Sequence, residues 1–200
     1  MLRHGETIGN LTKITAGSTN HSLTSNGKLQ AREVAKIFNK LDLINIIFYT
    51  SDLQRSVETA SIINKNRYET IIIPELRERS FGSWEGIEWE QVKERLIKGK
   101  EPINGETLQN YVDRLYSAFN KILSSNSNIV PFIVSHKGSF LALGKIFNYE
   151  LVRDINNCEL FYFVPIEYVQ NNTFPWEIMK VTFQDNKLFY VKEKIYKIKS

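Results

Sequence analysis

The 200-residue chain has a mass of 23.3 kDa, with 42% apolar and 24% charged residues, the proportions of an ordinary globular protein rather than a disordered or fibrous one. Its net charge of +4 arises in residues 180–200, where six lysines outnumber Asp185 and Glu193, so the first 179 residues sum to zero. Apolar runs are far shorter than the ~20 residues of a membrane span, Arg3 interrupts any secretion signal, and the single Cys158 excludes an internal disulfide. We therefore expect a soluble, cytoplasmic protein without a membrane partner.

Patterns of helix and strand alternate through the first three quarters of the sequence. Apolar residues at helical spacing predict helices over 25–41, 52–64, 86–98, 108–122 and 139–147. Short β-rich apolar runs predict strands over 44–50, 69–73 and 128–135, although Pro131 weakens the ladder of the last one. The run over 44–50 is typical of a strand that is buried on both faces.

The last quarter is richer in β-forming residues. Strands are predicted over 160–166, 175–183 and 187–194, with Asp185 and Asn186 as a tight turn between the last two. Strands alternating with helices favour an α/β fold, a three-layer α/β/α sandwich with a mostly parallel central sheet, which the C-terminal strands would extend antiparallel at its edge. No repeat, low-complexity tract or linker divides the sequence, so we predict a single domain over residues 1–200.

The C-terminal lysines alternate with apolar residues, as at Lys192, Lys194 and Lys197. This spacing is typical of a solvated edge strand whose lysines oppose association between sheets. A nucleic-acid patch is the alternative, but neither an aromatic platform for single strands nor a helix-turn-helix pattern accompanies the lysines. We therefore expect no nucleic-acid partner.

Residues with useful chemistry stand after strand-like residues in four segments, 2–7, 51–55, 76–79 and 134–138. Ligands of open α/β sheets bind beyond the carboxyl ends of the strands, so these segments should meet at one edge. Their side chains include two histidines, arginines from different loops and carboxylates. Guanidinium groups bind anions, imidazoles titrate near neutrality, and an acid can protonate a leaving group. This combination indicates a site that handles phosphate.

These segments resemble the motifs of the histidine phosphatase superfamily, the phosphoglycerate mutase-like fold. The opening motif is similar to Leu2–Asn10 (LRHGETIGN), and the second motif is similar to Ser51–Ala60 (SDLQRSVETA). The acid-bearing loop resembles Leu76–Gly86 (LRERSFGSWEG), which Pro102–Thr107 (PINGET) follows, and the second-histidine motif resembles Val134–Gly138 (VSHKG). The motifs occur in family order over residues 2–138.

The resemblance implies a role for each site residue. His4 would be the nucleophile that forms a phosphohistidine, and Glu78 would protonate the leaving oxygen and then activate water. Catalysis would also use Arg3, Arg55 and His136, which would hold charge on the phosphoryl oxygens. The phosphate-binding set would be Arg3, Asn10, Arg55, His136 and the backbone around Gly17. No metal or cofactor is implied, and the partner would be a small phosphorylated substrate bound by a monomer or homodimer.

Two features depart from the family pattern. Only Met1 and Leu2 precede the Arg-His-Gly motif, where the family has a full central strand, so we expect the chain to begin upstream of Met1. Such a short strand would leave neighbouring backbone groups unpaired. Lys137 stands where a second glycine usually follows the histidine, and it adds a cation near the mouth of the pocket.

The segment after Arg79 separates hydrolysis from transfer. The family's mutases carry Arg-His-Tyr-Gly there and a longer lid, whereas this chain has Ser80-Phe81-Gly82 and a short interval from Gly86 to Gly105. A phosphomonoester hydrolase is therefore the favoured prediction. Phosphoglycerate mutase-type transfer and a non-catalytic phospholigand-binding protein are the alternatives, and both retained histidines argue against the second. If Glu78 is not the acid, Glu75 and Glu85 are the next candidates.

Overall fold

The computed structural model describes residues 1–41, 44–124, 128–166, 175–185 and 187–198. Its central sheet has four parallel strands in the order β1-β4-β2-β3, namely β1 (Leu2–Arg3), β2 (Ile46–Thr50), β3 (Thr70–Ile72) and β4 (Val130–Ser135). Leu2 and Thr50 both lie opposite Val134, so the carboxyl ends of three strands are level. Every segment that follows a strand therefore begins at the same edge.

Six helices are described: α1 (Ile8–Leu11), α2 (Ser25–Phe38), α3 (Gln54–Asn64), α4 (Trp89–Ile97), α5 (Leu108–Leu123) and α6 (Lys137–Ile146). Threonine side chains cap three of them: Thr7, Thr24 and Thr107 each accept a hydrogen bond from a backbone N–H of the first turn. The predicted helices are confirmed with shifted ends, but α1 was not predicted.

Alternation along the strands divides the core into two layers. Phe48 and Phe132 point to the side of α2 and α3, where they pack with Phe38. Their neighbours Tyr49 and Ile133 point to the opposite side, which α5 and α6 cover. Helices thus cover both faces of the parallel sheet, and the predicted three-layer fold is confirmed.

The antiparallel strands form two small sheets. One pairs β5 (Tyr149–Leu151) with β9 (Tyr196–Ile198), and the other is a meander of β6 (Phe161–Pro165), β7 (Trp176–Gln184) and β8 (Lys187–Lys192). Among the described residues, one antiparallel bridge, between Leu2 and Leu160, joins the meander to the central sheet. The predicted extension of the central sheet is therefore reduced to this bridge. Neither β5 nor β9 was predicted, and Asn186 of the predicted turn lies outside the described residues.

The backbone of the short strand β1 is paired on both sides. Leu2 and Arg3 pair with β4, while the Met1 amine donates to the carbonyl of Phe161 at 2.8 Å and the Met1 carbonyl accepts from the Phe161 N–H at 2.9 Å. The expected loss of backbone pairing is thus absent at these positions. Within the described ranges, no helix is both long and apolar enough to cross a membrane.

Candidate active site

A cavity of about 930 Å³ opens at the carboxyl edge of the parallel sheet. Most of the predicted site residues line it: Arg3, His4, Asn10, Gly17, Arg55 and Glu78. His136 does not line the cavity; it is fully buried directly behind His4, and the two ring centroids lie 5.2 Å apart. The topology therefore brings together residues from segments that are far apart in the sequence.

The His4 ring is oriented by its own backbone. Nδ1 lies 2.7 Å from the carbonyl oxygen of Gly5. Because a carbonyl can only accept, Nδ1 carries the hydrogen and Nε2 keeps its lone pair. Burial, followed by the positive charges of Arg55 and Arg3, holds the pKa of His4 well below 6.5. His4 is therefore a neutral imidazole with one nitrogen available to react.

His136 follows strand β4 and stands just before α6. Its Nε2 and the hydroxyl oxygen of Ser51 lie 2.9 Å apart, while its buried Nδ1 has no hydrogen-bond partner among the residues described. Burial and the charge of Arg55 lower the pKa of His136 well below 6.5, and the neighbouring His4 adds to this effect. Unsatisfied buried polar atoms are rare in proteins, so this nitrogen is a candidate contact for a ligand.

Two guanidinium groups flank the histidines, one of them buried and the other half-buried. Arg55, on the first turn of α3, is 1% exposed and donates to the carbonyls of Thr19 at 2.9 Å and Gly17 at 2.7 Å. Arg3 donates to the carbonyl of Ile155 at 2.6 Å, and its buried Nε has no partner within the described part of the chain. Burial lowers the pKa of both arginines, but a guanidinium remains charged in proteins. The site therefore concentrates positive charge without a carboxylate on either guanidinium.

The loop that holds Arg55 is itself held by Glu85. Oε1 of Glu85 accepts from the backbone N–H and hydroxyl of Ser18, both at 2.9 Å, and Oε2 accepts from the hydroxyl of Thr19. Gly17 has φ +50°, and a Cβ there would collide with the Glu85 carboxylate. The Gly17 carbonyl accepts a hydrogen bond from Arg55 and so helps to position this guanidinium. The same carbonyl oxygen would repel a phosphate oxygen.

Glu78 follows a short 3₁₀ turn over Pro74–Leu76 and is fixed from three directions. Its Oε1 accepts from the Tyr111 hydroxyl and the Arg79 N–H, both at 2.9 Å, and its Oε2 accepts from the Gly138 N–H at 3.0 Å. Burial raises the pKa of Tyr111 well above 10, so its hydroxyl remains a donor. Tyr111 was predicted only as part of the apolar stripe of a helix, and its polar contact was missed.

Asn10 is placed by a second asparagine that the sequence did not single out. The Asn10 Oδ1 accepts from Asn157 Nδ2 and from the Thr7 N–H, both at 3.1 Å, so its Nδ2 is the atom able to donate to an oxyanion. Asn157 also donates to the His4 carbonyl at 2.9 Å. Pattern alone could not identify Asn157, because it stands alone in a segment that no motif covers.

Lys137 reaches the mouth of the cavity, as its position after His136 suggested. Its Nζ lies 2.8 Å from an oxygen of Asp154 and 5.6 Å from the centroid of the Trp89 ring. All three residues line the cavity. Trp89 is therefore part of the cavity wall.

A family model provides the comparison that decides the classification. The model described as histidine phosphatase superfamily (branch 1) matches residues 1–159. The chain belongs to this superfamily. An uncharacterized phosphatase of Bacillus subtilis (strain 168), PhoE, is 34% identical over 144 residues, which cover 72% of this chain and 73% of that protein.

Other similar proteins are named as phosphoglycerate mutases. A probable phosphoglycerate mutase of Cronobacter sakazakii, GpmB, is 33% identical over 147 residues, covering 68% of this chain and 67% of that protein. The crystal structure of phosphoglycerate mutase from Thermus thermophilus aligns with a TM-score of 0.59 at 24% identity, over 96% of this chain and 97% of that one. This last likeness shows the phosphoglycerate mutase-like fold alone.

Proposed function

We propose that the chain is a phosphomonoester hydrolase that acts through a phosphohistidine on His4. The observation that carries this proposal is the state of His4: a neutral ring, oriented by Gly5, whose Nε2 keeps its lone pair beside the guanidinium groups of Arg3 and Arg55. A nucleophile must be unprotonated and positioned before it can attack phosphorus. The guanidiniums supply the positive field that a phosphoryl transition state requires.

The reaction has two displacement steps. In the first, Nε2 of His4 attacks phosphorus, the ester P–O bond breaks, and the leaving oxygen takes a proton from Glu78. In the second, water gives a proton to Glu78 and attacks phosphorus, and the P–N bond breaks to restore His4. Arg3 and Arg55 hold the phosphoryl oxygens in both steps, with Asn10 as a neutral donor. His136 lies outside the cavity wall, so its proposed contact with the phosphate would use its buried Nδ1, which has no partner among the residues described.

Three hydrogen bonds hold the Glu78 carboxyl group at the cavity wall. A phosphate monoester loses its second proton with a pKa of ≈ 6, so its monoanion carries a transferable hydrogen. We infer that the monoanion binds and passes this proton through Glu78 to the leaving oxygen. The proton that water gives to Glu78 in the second step then leaves with the phosphate product.

The openness of the cavity to water favours hydrolysis over transfer. A mutase must protect its phosphoenzyme from water, whereas the interval from Gly86 to Gly105 contains only α4 and short connections. The resemblance to GpmB keeps the mutase alternative, which differs in its product. We further propose that the substrate is a small phosphorylated metabolite and that no metal takes part.

The test is a quenched reaction with a ³²P-labelled phosphomonoester. Wild-type protein should carry base-stable, acid-labile label and release inorganic phosphate, and His4→Asn should do neither. His21→Asn is the matched control, since that histidine is outside the cavity wall. Label that moves to an acceptor alcohol instead of water would favour the mutase. Intact phosphate binding without any adduct would favour a non-catalytic binder.

A further inference from the structure

Arg55 is held by two carbonyl oxygens rather than by a carboxylate. The donors on its two terminal nitrogens meet Thr19 and Gly17 at 2.9 and 2.7 Å. Neutral acceptors fix the plane of a guanidinium without cancelling its charge, whereas a bound carboxylate would compete with the phosphate. The direction in which Arg55 points is therefore set by the backbone of residues 17–19.

That backbone has no strand or helix of its own to fix it, because residues 17–19 lie in turn conformation. The Glu85 carboxylate replaces such support by accepting from Ser18 and Thr19, and it also accepts from the Phe81 N–H at 3.0 Å. Burial acts to raise the pKa of Glu85, but hydrogen bonds from Thr19 and Ser18 outweigh it, so this pKa lies below 4.5. The carboxylate is charged at neutral pH and its contacts persist.

Glu85 also begins a segment that is paired with the Arg55-holding loop. The Gly86 N–H donates to the Thr15 carbonyl at 2.9 Å, and the Thr15 N–H donates to the Ile87 carbonyl at 2.8 Å. The segment that carries Glu78 and the loop that holds Arg55 are thus joined at this point. A displacement of either one would therefore displace the other.

We propose that Glu85 is a positioning residue for phosphate binding, acting on Arg55 through the 17–19 loop. This proposal rests on the proposed function only in taking Arg55 as a phosphate ligand. Glu85 itself does not line the cavity. The negative charge of Glu85 also favours the charged form of Arg55, while the Arg55 N–H groups donate to the carbonyls of Thr19 and Gly17.

The experiment measures binding of inorganic vanadate and phosphate to the full chain by calorimetry, which needs no turnover. Glu85→Ala should weaken binding by about 10- to 100-fold, the range for a misdirected charge-assisted hydrogen bond. Glu85→Gln keeps one acceptor oxygen for Ser18 and Phe81, so it should recover most of the affinity. Glu94→Ala is the matched control, because this carboxylate is exposed on α4 and lies outside the cavity wall.

A double-mutant cycle separates positioning from a general loss of structure. If Glu85 acts through Arg55, adding Glu85→Ala to Arg55→Ala should cost no further affinity, because the coupled contribution is already lost. Additive losses, or normal vanadate affinity in Glu85→Ala with only a lower melting temperature, would overturn the proposal. Normal vanadate affinity in Arg55→Ala would instead refute the phosphate site itself, so the two failures can be told apart.

Discussion

Gly138 is the position where one added methyl group should uncouple activity from stability. A Cβ on Gly138 would overlap Oε1 of Glu78 and lie 2.7 Å from the Tyr111 hydroxyl, whereas ordinary contact begins at 3.4 Å. The hydroxyl would have to retreat by the difference, 0.7 Å, and the carboxylate by more. In Gly138→Ala, Glu78 therefore leaves the position set by its three donors.

The magnitude follows from this displacement. A misplacement of about 1 Å in a catalytic group can cost ~100-fold in rate. We expect kcat on an alkyl phosphate to fall about 100-fold, because a poor leaving group needs the proton from Glu78. The first step with an activated aryl phosphate should fall much less. Replacing a helical glycine by alanine contributes up to about 1 kcal/mol of helix stability. We therefore expect the melting temperature to change little while kcat falls.

The assay compares kcat on both substrate types with the melting temperature. Lys145→Ala is the control on the same helix, since this side chain is exposed and lies outside the cavity wall. Equal losses on alkyl and aryl phosphates would mean that Glu78 does not act as the acid. Unchanged kcat on the alkyl phosphate would refute the reasoning from the Glu78 geometry altogether.

Further predictions concern charge and pH. Arg55→Lys, measured as the inhibition constant of vanadate, should weaken binding about 10- to 100-fold, because one ammonium cannot replace two fork-like donors; an unchanged constant would contradict the fork. The acid limb of kcat/KM should lie below pH 6.5, since the pKa of His4 is lowered and its nucleophilic form persists above that pKa; a limb at or above 6.5 would sink the assignment. On the alkaline side, kcat/KM should begin to fall near the substrate's second pKa of ≈ 6, where the substrate loses its transferable proton. A substrate that has no such proton should not show this fall. The pKa values of His4 and His136 are lowered in the folded state, so their contribution to the free energy of unfolding should be complete above pH 6.5 and should be lost as the pH falls below it. A rise in melting temperature below pH 6.5 would contradict this. Chelators should leave turnover intact, and rescue by added magnesium or zinc would place the enzyme in another mechanistic class.

The sequence predicted the parts of the fold that rest on local pattern. The runs in β2 and β4 are apolar on both faces and were identified, because burial between two helical layers demands such residues. Strand β5 was missed because all three of its residues are half-buried, which leaves neither a continuous apolar run nor a clear alternation. The start of α4 was set too early because the residues before Trp89 are as charged as those in the helix.

The candidate site divides in the same way. The motifs placed His4, Arg55 and Glu78 in the cavity wall, because each follows a strand or its connection directly. The supporting contacts were missed because no local pattern encodes them. Tyr111 lies 33 positions from Glu78, and Glu85 lies 67 positions from Ser18, so only the folded chain relates these residues.

The spacing of the site along the chain has a consequence for synthesis. The His4 carbonyl is bound by Asn157, 153 positions away, and Arg3 is bound by Ile155. In a growing chain His4 is synthesised long before these partners and must wait for them. Long-range closure of this kind is slow compared with helix formation. Throughout that delay the backbone of Arg3 and His4 lacks the contacts of residues 155–157, so the cavity wall is assembled only late in folding.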